Sequence, residues 1–292
     1  MSGPNGVIAI DKPVGPTSHD AVAAVRRALK TREVGHTGTL DPFASGLLLI
    51  CVGKATRLAE YLTGMPKRYV ATMRLGAATD TDDLTGETVS TSDAWPSLSV
   101  DAIREALGRQ VGTIEQVPPA YSAKKVDGER MYAVARRGGE VKRKPVTVTI
   151  HSIDLLDVRL PEVEFAVECG SGTYIRAIAR DVGAALGVGG HLSALRRTHV
   201  GPHDVAHAVP VDRLDEVEAV ARAMLTPAEA VSHMPSITLT DDERTAIGFG
   251  RVVAARPELP EGVPVAFLSA DGELLAIGER AGEHVRPRKV FA

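Results

Sequence analysis

Residues 35–46 read Gly35-His36-Thr37-Gly38-Thr39-Leu40-Asp41-Pro42-Phe43-Ala44-Ser45-Gly46, and Asp41 is the only carboxylate among them. Pro42 biases Asp41 toward an extended backbone, and Gly35, Gly38 and Gly46 let the chain bend closely around a ligand. Such a loop can present a carboxylate at the mouth of a cleft while its flanking elements hold it still. The competing reading is a turn in which Asp41 caps a backbone N–H. A second pattern is charge. Residues 122–144 carry eight Lys and Arg against three Asp and Glu: Lys124, Lys125, Arg130, Arg136, Arg137, Lys142, Arg143 and Lys144. The whole chain has a net charge of -3, so a basic patch of this density suits a polyanion gripped at one place. A solvated loop and helix face would read the same way. Residues 204–292 are acidic, with 9 basic against 15 acidic side chains.

The elements around these residues follow from hydrophobic pattern. Residues 7–10 form a short strand, stopped by Asp11-Lys12-Pro13-Val14-Gly15-Pro16. Ser18 is placed to cap a helix through residue 29, with Val22, Val25 and Leu29 on one face. Residues 47–52 are continuously apolar, as in a buried strand. Residues 68–75 alternate, with Tyr69, Ala71, Met73 and Leu75 on one side. An acidic turn-rich loop at 79–86 and a short helix at 100–107 follow. Strands are expected at 146–150 and 162–169, the second with Val163, Phe165, Val167 and Cys169 on one face. Gly170-Ser171-Gly172 opens a helix over 173–186. Within the basic segment, residues 129–137 read as a helix ended by Gly138-Gly139. A helical connector around 209–231 leads to strand-like pieces at 252–254, 263–268 and 274–277.

With 292 residues, 44% hydrophobic and 24% charged, the chain is an ordinary globular protein with one large domain and an appendage, or two unequal domains. Cys51 and Cys169 are too few for a disulfide framework or a four-thiolate zinc site. No phosphate-cradling G-x-x-x-x-G-K and no metal-ligand cluster is present. The opening residues lack the pattern of a signal peptide, and no run approaches 18 apolar residues. The expected setting is therefore cytoplasmic.

Asp11-Lys12-Pro13-Val14-Gly15-Pro16-Thr17-Ser18 and residues 35–46 resemble the first two motifs of the bacterial tRNA pseudouridine synthases of the TruB family. Lys67-Arg68-Tyr69, Leu75-Gly76 and Thr79-Asp80-Thr81-Asp82 resemble the next block. Gly172-Thr173-Tyr174-Ile175-Arg176 and Leu195-Arg196-Arg197 resemble the last. Order and spacing fit over about residues 7–200, and four dispersed motifs in register are a strong signal. The resemblance implies an α+β fold: a mixed, mainly antiparallel sheet flanked by helices over residues 1–232, with an RNA-binding insertion at about 122–145. A small β-rich, PUA-like domain is expected at 235–292.

The activity implied is conversion of uridine to pseudouridine at position 55 of the tRNA T loop, after the base is flipped out of its stack. No metal or other cofactor is implied. By the resemblance, Asp41 is the catalytic aspartate, suited to stabilising an oxocarbenium-like sugar or attacking it. Tyr69 is the active-site tyrosine that stacks on uracil and takes part in proton transfer. Arg176 pairs with Asp41 and keeps it ionised. His36 contacts the flipped nucleotide, Tyr174 hydrogen-bonds near the site, and Leu195 packs on the base. Lys12 supports the active-site loop or contacts a phosphate. Lys124, Lys125, Arg130, Lys142, Arg143, Lys144, Arg196 and Arg197 are expected on the RNA backbone. The implied partner is tRNA, with no membrane and no obligate protein partner, and the chain is expected to be a monomer. Three rivals are a non-catalytic RNA-binding or RNA-folding protein, an N-glycosidic hydrolase, and the archaeal–eukaryotic relative that works with guide RNA. The first would lack Asp41 or Tyr69, and the second would want another acid/base carboxylate or a metal beside Asp41.

Overall fold

The computed structural model describes residues 4–121, 125–126, 129–130 and 143–291. Its largest sheet runs in the order Val209–Pro210, Gly6–Lys12, Ser45–Val52, Gly190–Val200, Lys67–Leu75, Glu162–Cys169, Val146–Arg159, Gly112–Gln116. Neighbours on this path are antiparallel, except that Val209–Pro210 runs parallel to Gly6–Lys12 and Ser45–Val52 parallel to Gly190–Val200. The sheet is thus mixed and mainly antiparallel, as expected.

The continuous apolar run at Ser45–Val52 is explained by burial on both faces. Leu48, Ile50 and Val52 join a core with helices Ser18–Ala28, Val100–Gly108 and Ile175–Ala185, through Val22, Val25, Ile103, Leu107, Ile178 and Val182. The alternate residues Leu47, Leu49 and Cys51 face the opposite side. There they meet Leu58 and Leu62, and also Ala266, Ile277 and Phe291 of a five-stranded C-terminal sheet. That sheet is held further by Arg57 donating to the Val290 carbonyl at 2.6 Å and Lys289 to the Arg57 carbonyl at 2.8 Å. Among the described residues no helix is long and apolar enough to cross a membrane.

Several elements differ from the sequence expectation. Thr17, not Ser18, caps the first helix, in a capping box with Asp20. Ser18 is buried, and its hydroxyl donates to the Leu40 carbonyl at 3.0 Å while accepting from the Leu40 N–H at 2.8 Å. The first strand of the 146–169 region is longer than its apolar start, reaching Arg159, because polar residues cover an exposed face. Glu129–Arg130 is a short strand paired with Lys125–Val126, not the start of a helix; residues 131–142 lie outside those described. The helix at 173–186 begins at Ile175, with Tyr174 as its N-cap. The connector contributes the short helices Val217–Ala223 and Pro227–Ala230 and a 3-10 turn at Val211–Arg213, and gives Val209–Pro210 and Met224–Leu225 to the large sheet. The central strand Gly190–Val200 had no pattern to announce it.

Of the three loop glycines, only Gly46 is forced. It has φ +104, and an added Cβ would overlap the Arg197 carbonyl oxygen across the parallel pairing. Around Gly35 a Cβ would meet nothing within 4 Å. The close approach is therefore between two strands rather than between loop and ligand. Gly46→Ala is expected to destabilise the protein by about 3 kcal/mol, and Gly35→Ala to stay within about 0.5 kcal/mol of the parent. Denaturant unfolding of the two variants side by side measures the difference.

Candidate active site

The loop that carries Asp41 is pinned from beneath. Ser18 holds Leu40, the Gly15 N–H donates to the Pro42 carbonyl at 2.8 Å, and Leu40, Phe43 and Ala44 are buried in the core. Lys12 is fully buried and donates to the carbonyls of Pro13 at 2.7 Å and Pro16 at 2.9 Å. Burial brings its pKa down to about 8, against the pull of the Asp41 carboxylate. It therefore braces the turn at residues 13–16, whose Gly15 holds the Asp41 loop, and the alternative of a phosphate contact is corrected: no part of Lys12 reaches solvent.

Asp41 projects into a pocket of about 240 Å³ lined also by Lys67, Tyr69, Tyr174, Arg176 and Leu195. Its side chain keeps 35% exposure, and Oδ2 lies 3.0 Å from Arg176 Nε. Enclosure pushes the Asp41 carboxyl above the usual carboxylate range, and the Asp83 carboxylate adds to this; Arg176 opposes both. Tyr69 sits on the strand Lys67–Leu75, and burial raises its phenol above the ordinary value, so it stays neutral near pH 7. Leu195 comes from the adjacent strand Gly190–Val200. Tyr174 caps the helix of Arg176, and its backbone is gripped at both ends by the buried Gln116 side chain: Nε2 donates to the Tyr174 carbonyl at 3.1 Å, and Oε1 accepts from its N–H at 2.8 Å.

Arg176 is itself buried and spends its remaining donors on one wall of the site. Nη1 reaches the Thr81 carbonyl at 2.9 Å and Asp83 Oδ2 at 3.1 Å, and Nη2 reaches the Tyr121 carbonyl at 2.9 Å. Asp83 in turn accepts at Oδ1 from the Thr81 hydroxyl, the Thr85 N–H and the Thr85 hydroxyl, at 2.9, 2.9 and 2.6 Å. One turn along the helix, Arg180 binds Asp82 at 2.9 Å and the Val117 carbonyl at 2.9 Å. Gln116 was not singled out from sequence, Lys67 only as part of the Lys67-Arg68-Tyr69 motif, and Asp83 only as one of the acidic residues of the loop at 79–86. The signals were present: Arg176 and Arg180 share a helix face, and Thr79-Asp80-Thr81-Asp82-Asp83 is dense in short hydrogen-bonding side chains.

The remaining expected residues are divided between the pocket, the loop beneath it and the surface. His36 ends the short strand Val34–His36 and is not among the pocket's lining residues; its ring meets His19 edge-on at 5.5 Å, and Nδ1 accepts from the Gly38 N–H at 3.3 Å. Arg197 is 2% exposed and donates to the carbonyls of Leu47 at 2.7 Å, Gly38 at 3.1 Å and Thr39 at 3.4 Å. The expectation that it contacts RNA phosphates is corrected: a guanidinium folded inward onto the Asp41 loop has no face on the outer surface. Arg196 keeps 43% side-chain exposure but is held by Asp11 at 2.7 Å. Arg143 and Lys144 are exposed, Lys125 and Arg130 lie on the short strand pair, and Lys124 and Lys142 fall outside the described residues.

Residues 26–175 match the model of the TruB family pseudouridylate synthase N-terminal domain, and residues 176–232 match the tRNA pseudouridylate synthase B C-terminal domain. A tRNA pseudouridine synthase B of Arthrobacter sp. (strain FB24) is 47% identical, covering 99% of this chain and 97% of that protein. One of Burkholderia mallei (strain NCTC 10247) is 45% identical over 96% of this chain and 94% of its own. Among solved structures, a Cbf5–Nop10–Gar1 complex matches with TM-score 0.77 and 31% identity over 98% of this chain and 85% of that one. An H/ACA RNP bound to a substrate RNA containing 2′-deoxyuridine gives TM-score 0.75 and 29% identity, with coverage of 98% and 85%. A pocket built on one ion-paired aspartate, a sheet with this strand order and near full-length likeness to bacterial enzymes agree, and the chain belongs to the TruB family of pseudouridylate synthases, isomerases that act on uridine in tRNA.

Proposed function

We propose that this chain converts uridine to pseudouridine at position 55 in the T loop of tRNA. The observation that carries the reading is Asp41, half-open to the pocket and fixed by Arg176 at 3.0 Å. Uridine in a folded loop reaches this carboxylate only when flipped outward, at a cost of a few kcal/mol that stacking and hydrogen bonds in the pocket offset. Tyr69 and Leu195 supply the ring and the apolar contact for that base. Asp41 acts at C1′, by covalent attack or by stabilising the oxocarbenium-like sugar, and the uracil re-bonds through C5. Residues 1–232 carry the reaction in this reading, the exposed Arg143 and Lys144 join the basic segment in holding phosphates, and residues 235–292 form a second unit.

Two observations favour isomerisation over the hydrolase rival. Asp83, the carboxylate nearest in role to a second acid or base, has both oxygens engaged and is 3% exposed. Asp82 is committed to Arg180. Neither is free to activate a water. Mass-spectrometric mapping of pseudouridine in unmodified tRNA incubated with the purified protein tests the reading directly: product at position 55 supports it, and product elsewhere or none rejects it.

Asp41→Asn keeps shape and removes charge, so pseudouridine formation is expected to vanish while tRNA affinity stays within a few-fold. Turnover near the parent rate would take Asp41 out of its role. Asp83→Ala leaves Arg176 with one carboxylate in place of two, inside the protein. Breaking a buried pair of this kind is worth about 3–5 kcal/mol, part of it in stability, and the single-turnover rate is expected to fall by at least about tenfold with binding retained. Quench-flow on tRNA at saturating enzyme measures it. Neutralising Lys142, Arg143 and Lys144 together is expected to weaken tRNA binding and flatten its salt dependence, each lost contact removing something under about one unit of slope. Filter-binding titrations over four or five salt concentrations give that slope, and an unchanged value would place the RNA grip elsewhere.

A further inference from the structure

Among the described residues, two cations of the pocket have no carboxylate at ion-pair distance. Lys67 is 6% exposed, and its Nζ donates to the carbonyls of Thr63 and Met65. Arg197 is 2% exposed and bonds three carbonyls and the neutral Tyr69 hydroxyl. Among the described residues neither lies within ion-pair distance of a carboxylate, whereas Arg176 has Asp41 and Asp83, and Arg180 has Asp82 and Asp181. Both cations flank Tyr69: Lys67 is two residues before it on the same strand, and Arg197 is its partner across the antiparallel pairing. Both line the pocket.

The other titratable groups at this wall stay neutral. Cys169 stands opposite Lys67 in the sheet, and burial pushes its thiol up to about 11. Tyr69 is raised by burial as well. Lys67 is lowered to about 8 by burial and by Arg197, which still leaves it mostly charged at neutral pH. A buried cation without a counter-ion is costly, and two side by side more so. Such a wall is satisfied when an anion enters the pocket. In the uridine reading the flipped uracil is the group that enters beside Tyr69, so the anion that meets this wall is the base.

We propose that Lys67 and Arg197 stabilise the uracil ring as an anion while its bond to the ribose is broken. This rests on the uridine-isomerase reading and adds to it the group that meets the departing base. The C1′–N1 bond breaks and its electron pair remains on uracil, spread over the ring and its two carbonyl oxygens. The ribose is left with the positive charge that Asp41 meets. When C5 bonds to C1′ the pair is used, the C5 proton is lost to the medium, and N1 takes up a proton. No oxidant or co-reactant is needed. Fixed charges aimed at developing charge in a water-poor site are the most effective kind of electrostatic assistance.

The test uses the full chain and a synthetic T stem–loop carrying either uridine or 5-fluorouridine at the target. Fluorine makes the departing uracil a weaker base, less dependent on outside stabilisation. Loss of the parent nucleoside is followed in single turnover by nuclease digestion and chromatography. Lys67→Met is expected to slow loss of uridine by about tenfold or more, and loss of 5-fluorouridine much less, so that the fluoro-to-normal rate ratio rises several-fold over the parent. Lys67→Arg keeps the charge and should keep the parent ratio. Equal slowing of both substrates, or no slowing, overturns the proposal, because a merely structural lysine moves both rates together. If Lys67→Met fails to fold, Lys67→Gln is read by the same ratio. A parent protein that forms no pseudouridine from the normal stem–loop fails the isomerase reading instead, which keeps the two failures apart.

Discussion

A guanidinium taken almost wholly out of water must find its counter-charge and most of its hydrogen-bond partners within the protein. Arg176 meets that requirement with two carboxylates and two carbonyls from three separate places in the chain: Asp41, the turn at Thr81 and Asp83, and Tyr121. Losing either carboxylate leaves the buried charge only half answered, and losing either carbonyl leaves a buried donor unpaired, so the four contacts stand together. It follows that the acidic turn, the end of the strand Gly112–Gln116 and the Asp41 loop cannot drift independently. The same contact that orients the carboxylate also fixes the walls around it.

The large sheet then decides what faces the carboxylate. Its strand Gly190–Val200 lies between a parallel and an antiparallel neighbour, so its residues meet Gly46 on one side and Tyr69 on the other. Arg197 is the point where the two meet. Its backbone crowds Gly46, its side chain holds Gly38 and Thr39 of the loop, and its cross-strand partner is Tyr69. A one-residue slip would turn every one of these groups to the other face of the sheet. The site is thus a property of register as much as of residue type.

Much of this was legible in the sequence wherever a single face or run carried the signal. The alternation at Glu162–Cys169 and the apolar run at Ser45–Val52 identify their strands because burial imposes a period of two on one and no period on the other. Gly190–Val200 has neither. It holds His191, Arg196 and Arg197 in the middle of the sheet, polar residues whose partners are carbonyls and carboxylates brought in from elsewhere. For the same reason Arg197 looked like a surface cation beside Arg196. Nothing local tells an arginine that bonds three distant carbonyls from one that faces water. Ser18 misled in a related way: a serine at a helix start normally caps it, but Thr17 with Asp20 already does so, which frees Ser18 to hold Leu40. Asp41, Tyr69 and Arg176 were found because each lies inside a motif of fixed spacing, whereas Asp83 is one of several acidic residues in the loop at 79–86, and nothing local marks which of them meets Arg176.

Charge counted along the chain and charge placed in the fold say different things here. Residues 122–144 are basic by count, and Arg143 and Lys144 at their end are exposed, as a phosphate contact requires. Yet Lys12, Lys67, Arg176 and Arg197 lie inside the protein, so a map of basic residues by sequence merges two populations that do different work. The buried ones are set by hydrogen bonds to backbone and respond little to salt; those at the surface are screened within about 10 Å at 0.1 M. The two populations are joined at one place. The segment that runs from Gln116 to Tyr121 into the basic stretch is held by Gln116 on Tyr174, by Arg180 on Val117 and by Arg176 on Tyr121. The root of the basic stretch is therefore anchored on the same helix face, and in one case by the same side chain, that orients Asp41.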